Sequence, residues 1–229
     1  MLRAFGTDLW IAEGPVVSFY GFPYPTRMAV IRLANGDLFV WSPMALDGAL
    51  RAEVDSLGRV AHLVSPNVLH HLWLADWKAA YPAARLYASP GLKKKRRDLA
   101  FDAELSDRPE PAWRGQIDQV RVGGNLFMTE IVFHHRASRS AIFADLIENF
   151  QPDWFKGWRG VLARLDGIVQ PNYGAPRELR WACFFRRSAR RSIQGIIDLA
   201  PERVVIAHGE MAERGGTEFI RFGFRWLLK

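Results

Sequence analysis

Few side chains in this sequence can do chemistry, and they fall in particular places. Five of the six histidines stand where an apolar, strand-like run gives way to a turn. His70 and His71 follow the run 61–64, His134 and His135 end the run from Glu130, and His208 follows 204–207. Asp145 closes the run 140–145. Imidazole and carboxylate are the donors that suit zinc, iron or manganese, and the loops at strand ends are where α/β proteins collect ligands. The same residues read equally as polar strand-edge groups bonded to backbone carbonyls, because their spacing matches no local metal motif.

The elements that must position them follow from hydrophobic period and turn chemistry. Apolar and β-branched runs at 9–12, 16–19 and 28–33 are separated by Gly-Pro and Pro-Tyr-Pro-Thr breakers and predict short strands. Asn35-Gly36 predicts a hairpin joining 28–33 to 37–41. Leu46, Leu50, Val54 and Leu57 repeat at helical spacing, predicting a helix over 45–57. A strand at 61–64 follows, then a helix over 68–80 with Asn67 as its cap, then a strand at 85–88. Strands are expected again at 119–122, 126–127, 130–134 and 140–145, with Gly123-Gly124 as a turn. Helical patterns start from Trp154 and Ser188, a last strand covers 204–207, and a terminal helix starts at Thr217. This alternation predicts an α/β arrangement built around sheets, in one domain without repeats or long linkers. On this reading His70 and His71 sit in the first turn of a helix, whose dipole favours neutral imidazole or a bound anion.

Composition excludes several classes. The 229 residues are 49% hydrophobic and 24% charged, which excludes a disordered chain, a collagen-like repeat and a disulfide-stapled miniprotein. Cys183 is the only cysteine, so no intramolecular disulfide forms. There is no stretch of about 18 apolar residues to span a bilayer, and the first residues contain no signal-peptide core. The cytoplasm, without a membrane partner, is the expectation. Lys and Arg number 31 against 24 Asp and Glu, a net +7. The two densest basic runs are Lys93 to Arg97 and Arg186, Arg187, Arg190 and Arg191. No nucleic-acid motif accompanies them, so they read as solvated helix faces rather than a nucleic-acid surface.

The order of these elements and ligands resembles the metallo-β-lactamase superfamily, and the segment SPNVLHHLWLADWKAAYPAARLYASPG is similar to an uncharacterised bacterial branch of it. The superfamily's His-x-His-x-Asp-His motif occurs here in degenerate form. His71 takes the place of its final histidine, His70 that of its aspartate, and Val68 and Pro66 those of its first two histidines. HHRASRS stands where the family has a Gly-His-Thr-Pro-Gly-Ser turn, so His135 matches the third ligand, while Asp145 in FADLI and His208 in VVIAHGE match the bridging aspartate and last histidine. Neither valine nor proline can ligate through its side chain.

The resemblance implies a four-layer αββα sandwich. It implies that the first metal position is lost and that the second survives as His70, His71, Asp145 and His208. The cofactor expectation is therefore one zinc, iron or manganese ion, or none. Four protein ligands would make a closed structural site and three an open one. His135 is then a proton carrier or a group bonded behind the ligands, and Arg136 and Arg139 are the candidates to clamp an anionic substrate. Two functions stay open: a mononuclear metal-dependent hydrolase of unknown substrate, or a non-catalytic pseudo-hydrolase that binds a small anion or a protein partner. Homo-oligomerisation is left open as well. Cys183 in WACFF reads as a buried inert thiol. No Gly-x-Ser-x-Gly elbow or Gly-rich phosphate loop is present.

Overall fold

The computed structural model describes residues 1–229. Its strands pair into two main sheets. The first has the order β1-β2-β5-β6-β7-β8-β9, built from β1 (Arg3–Gly6), β2 (Leu9–Glu13), β5 (Arg27–Arg32), β6 (Asp37–Trp41), β7 (Arg59–Val64), β8 (Arg85–Ala88) and β9 (Ala103–Glu104). Pairing is antiparallel from β1 through β6 and parallel from β6 to β9. The second sheet has the order β10-β11-β12-β13, from β10 (Ile117–Val122), β11 (Glu130–His135), β12 (Ser140–Phe143) and β13 (Arg203–Ile206). There β12 and β13 run parallel. A separate ribbon pairs β3 (Val17–Phe19) with β4 (Phe22–Tyr24).

Three apolar layers account for the stacking. Between the sheets lie Phe39, Trp41, Trp113, Phe133, Ile142 and Val205, all fully buried. The far face of the first sheet buries Leu50 and Val54 of α1 (Gly48–Leu57) and Leu74 and Trp77 of α2 (Leu74–Ala80). The far face of the second buries Ile193 and Ile196 of α6 (Arg186–Asp198) and Ile220 of α7 (Gly216–Gly223). Burial of each such side chain contributes about 1.5–3 kcal/mol. The result is the expected helix–sheet–sheet–helix sandwich. No helix is long and apolar enough to cross a membrane.

Local chemistry explains where the elements begin. Gly36, at φ 84°, makes the hairpin turn between β5 and β6, a conformation that costs other residues. Asp47 caps α1, its carboxylate accepting from the Leu50 N–H at 2.7 Å. Asn67 does not start a helix as its sequence position suggests. Its side-chain oxygen accepts from the N–H groups of Leu69 (2.8 Å) and His70 (3.3 Å), so residues 67–73 stay in turns and α2 begins only at Leu74. Both histidines of the pair thus precede the helix, and the helix-dipole argument for them falls. Residues 126–127, expected as a strand, are also a turn. There the Asn125 side chain accepts from Phe127 and Met128, leaving Leu126 and Phe127 exposed.

The topology has one decisive consequence. Ser42 follows β6, residues 65–73 follow β7, Asp145 follows β12 and His208 follows β13. These four C-terminal ends meet at one edge of the sandwich, where Ser42 touches His70 and Asp145 touches both His70 and His208.

Candidate metal centre

Each side chain at this edge is held by a separate device. His70 is fixed through its backbone by Asn67 and by the Ser65 hydroxyl, 2.7 Å from the His70 carbonyl. Asp145 is fixed from below by Glu130, the first residue of β11. One Glu130 oxygen accepts from the Ala144 N–H and the other from the Asp145 N–H, both at 2.8 Å. His208 is fixed by its Nδ1–H, which donates to the Pro25 carbonyl at 2.7 Å. The guanidinium of Arg27, buried in the next strand, donates to the carbonyls of Ile206 and Gly209 and so grips both sides of the histidine.

The three side chains converge. His70 Nε2 lies 3.2 Å from Asp145 Oδ2, and His208 Nε2 lies 3.1 Å from Asp145 Oδ1. Their donor atoms all fall within 4.8 Å of one another, a group able to hold a metal ion. The two imidazole rings are 5.4 Å apart. Behind them, His70 Nδ1 is 2.7 Å from the Ser42 hydroxyl, and the Asn67 amide donates to Asp145 at 2.6 Å and to Glu130 at 3.1 Å. Metal-ligating histidines are oriented in this way by partners on their other nitrogen.

Electrostatics at the cluster is dominated by buried carboxylates. Burial opposes ionisation of Asp145, but the His70 charge and the two imidazole hydrogen bonds outweigh it and hold this carboxyl well below the usual range. Glu130 moves the other way, pushed up to about 7 by burial and by Asp145. Glu148, also fully enclosed, is raised strongly for the same two reasons and accepts a hydrogen bond from Tyr24 at 3.1 Å. Burial lowers the His70 pKa, yet Asp145 more than compensates and the net shift is upward. Three acidic side chains sharing one low-dielectric site call for positive charge, supplied by protons or by a cation.

Other residues expected at the site lie elsewhere. His71 turns away: the Arg96 guanidinium donates to its Nδ1 at 3.1 Å and to its carbonyl at 2.9 Å. Burial, with Lys95 and Arg96 nearby, lowers its pKa to about 4. His135 is at the wrong end of its strand. It pairs with Ser140, the first residue of β12, whereas Asp145 lies beyond the last. At 3.3–3.4 Å per residue the two ends are on the order of 15 Å apart. There His135 Nδ1 meets the Ser138 hydroxyl at 2.8 Å. Arg136 makes a two-pronged pair with Asp118, and Arg139 pairs with Glu202. Both are committed to carboxylates at that distant end, so neither stands ready to clamp an anion at the cluster.

Three residues of this edge escape a sequence reading: Glu130, Arg27 and Glu148. The first two carry a signal. A charged residue opening a wholly apolar strand, as in EIVF and RMAVI, has to be paired when buried. Glu148 gives none, because only the tertiary fold brings it to Tyr24, 124 positions earlier.

The geometry defines a class before any comparison: an αββα sandwich with a His-Asp-His group at the joined ends of its two sheets, the metallo-β-lactamase type of fold. Solved structures agree. The chain is similar to the DIM-1 metallo-β-lactamase exposed to ceftazidime, at 12% identity and TM-score 0.65, covering 99% of this chain and 96% of that one. It is similar to the FIM-1 metallo-β-lactamase from Pseudomonas aeruginosa in its mono-zinc form, at 10% identity and TM-score 0.66, covering 100% and 96%. A metallo-β-lactamase from Hirschia baltica matches at 13% identity and TM-score 0.59, covering 96% of each chain. At such identities the likeness concerns the fold alone. No curated protein matches the chain. The family model for a domain of unknown function, DUF4336, matches residues 10–156, and the chain belongs to that family.

Proposed function

We propose that this protein is a mononuclear metal-dependent hydrolase whose ion is held by His70, Asp145 and His208. The observation that carries the reading is the convergence of their donor atoms within 4.8 Å, with the Nδ1–H bond to Pro25 leaving Nε2 as the His208 nitrogen that faces the cluster. Two imidazoles and one carboxylate suit zinc, iron or manganese. Three protein donors, rather than the four expected from sequence, leave a coordination position free, as catalytic sites require and closed structural sites do not. A bound ion of this kind supplies Lewis-acid polarisation of a carbonyl or phosphoryl oxygen and activates water at neutral pH.

The protein's own groups do the remaining work. Asp145 supplies the negative charge that retains a divalent cation, and Glu130 and Asn67 hold it in place. Tyr24 and Glu148 keep a proton beside His208, the Tyr24 ring lying 5.0 Å from the imidazole. They take the proton-carrying role that His135 is too distant to fill. A metal-free pocket for a small anion is the weaker reading here, since Asp145, Glu130 and Glu148 surround the site and Arg136 and Arg139 do not reach it.

Elemental analysis of untagged protein purified without chelator tests this reading. About one zinc, iron or manganese per chain is expected, falling to background in Asp145→Asn, together with turnover in a screen of ester, thioester and phosphodiester substrates. Absence of metal even after dialysis against these ions would overturn it.

A further inference from the structure

The surface beside this edge has a composition unusual for a solvated face. Of 17 large hydrophobic residues exposed on the whole molecule, eight fall between positions 154 and 185. The helix α4 (Trp158–Asp166) shows the pattern most clearly. Its small residues Gly160 and Ala163 are buried, while Trp158, Val161, Leu162 and Leu165 are 47–59% exposed. Spacings of three, four and seven put these four side chains on one stripe. This helix therefore turns its apolar stripe outward, the reverse of a helix that packs only on its own core.

Neighbouring elements extend the patch. On one side Trp158 packs on Phe22 of the β3–β4 ribbon, and Arg159 donates to the carbonyl of Gly21 at the ribbon's tip, beside the 89% exposed Tyr20. On the other side Arg180 of α5 (Arg177–Trp181) donates to the Asp166 and Gly167 carbonyls at the end of α4. Backbone bonds then tie Ala182 to Leu126 and Phe185 to Gly124. Ribbon, α4, α5 and the 124–127 turn thus form a continuous rim studded with exposed aromatic and aliphatic side chains.

Charge identifies the occupant. Residues 153–191 hold nine Lys and Arg against three Asp and Glu, so they carry +6 of the chain's net +7. Arg159, Arg164, Arg177, Arg186 and Arg187 make no salt bridge. A second copy of the chain related by a two-fold axis would set these unpaired arginines against themselves. An anionic lipid surface instead offers what the rim lacks: phosphate partners for guanidinium groups, and an interface where tryptophan and leucine are buried while arginine stays at the headgroups. The absence of a long apolar run excludes a span, not this mode of binding.

We propose that the rim formed by the β3–β4 ribbon, α4, α5, the 124–127 turn and the exposed start of α6 docks the protein on anionic membrane surfaces. The test is co-flotation of the full chain with phosphatidylcholine vesicles, with and without phosphatidylglycerol at about one lipid in three. Binding is expected only with the anionic vesicles, weakening as salt rises. The double variant Leu162→Glu/Leu165→Glu should lose about tenfold or more in affinity, and Arg186→Glu/Arg187→Glu a comparable factor. Because all four side chains are exposed, both variants should keep the wild-type melting temperature. His208→Ala should still bind vesicles, which separates docking from metal binding. Failure to bind anionic vesicles would overturn the proposal, as would binding unchanged in both variants. So would a dimer in sedimentation that Leu162→Glu splits without any vesicle binding, which would assign the rim to a second copy of the chain.

Discussion

His208 and Pro25 lie 183 positions apart, yet the histidine's Nδ1 sits 2.7 Å from the proline's carbonyl oxygen. A carbonyl can only accept, so Nδ1 carries the hydrogen, and in the neutral ring the lone pair must be on Nε2. That nitrogen faces Asp145 at 3.1 Å. One backbone carbonyl in the loop before β5 thus selects the tautomer a metal needs, without any titratable partner.

The cluster geometry separates adjacent histidines. His70→Ala should lower metal affinity by about 100-fold or more, whereas His71→Ala and His135→Ala should change it by less than about threefold. Isothermal titration with zinc checks this. Equal losses in His70→Ala and His71→Ala would disprove the three-residue assignment.

Arg27 grips the loop that carries His208. Its guanidinium bonds Glu13 and two backbone carbonyls while itself buried. Arg27→Ala leaves those carbonyls without a donor and should cost about 2–4 kcal/mol in urea unfolding. Arg27→Lys should recover little of it, because an ammonium cannot reproduce the planar fork. A loss below about 0.5 kcal/mol would remove the residue from this role.

Gly209 follows His208 at φ 95°. A Cβ there would stand 2.1 Å from the Asn149 carbonyl oxygen and 2.4 Å from its carbon. Gly209→Ala should therefore destabilise the fold by about 3 kcal/mol or more and displace His208, so that metal retention falls with the melting temperature. A variant with wild-type melting behaviour would show that the loop has room to move.

Glu130 supports Asp145 through two backbone N–H groups and the Asn67 amide. Glu130→Ala leaves these donors buried and unmatched, at about 3 kcal/mol or more, and should weaken metal affinity by about 10–100-fold. Glu130→Gln, which keeps one acceptor oxygen but turns an NH2 donor towards the other backbone N–H, should fall between. Affinity equal to wild type in Glu130→Ala would mean Asp145 is held by other contacts.

Acid sensitivity follows from histidines outside the cluster. Burial lowers the pKa values of His62 and His135 from 6.5 to about 4. Between those limits the unfolded chain binds more protons than the folded one, so each histidine's contribution is intact above pH 6.5 and is lost as pH falls towards 4. The slope reaches at most about 1.4 kcal/mol per pH unit for each group. Glu130 and Glu148, raised in the folded state, act with the opposite sign, so the readout must be differential. Wild type should lose stability relative to His62→Gln as pH drops through this window. A pH-independent difference in urea unfolding would refute it.

Much of this molecule was legible in its order of residues. Asn35-Gly36 fixed a hairpin because an αL-tolerant turn between apolar runs has few alternatives. The alternation of periods marked sheets and helices, and the resemblance supplied their four-layer stacking. His70, Asp145 and His208 could each be placed at a strand end, since a polar residue closing an apolar run marks where a strand leaves the core. Which strand ends meet was another matter. His70 and His71 differ by one position, and only the Asn67-pinned turn, in place of the expected helix, decides that the first faces Asp145 and the second Arg96. His135 and Glu130 occupy opposite ends of one strand, and their roles follow from the antiparallel register with β12, a long-range pairing that local sequence does not encode. Residue types determined which chemistry was available; the tertiary contacts of β11, β12 and β13 decided which residues share a site, because buried charges settle only where a partner from elsewhere in the chain arrives.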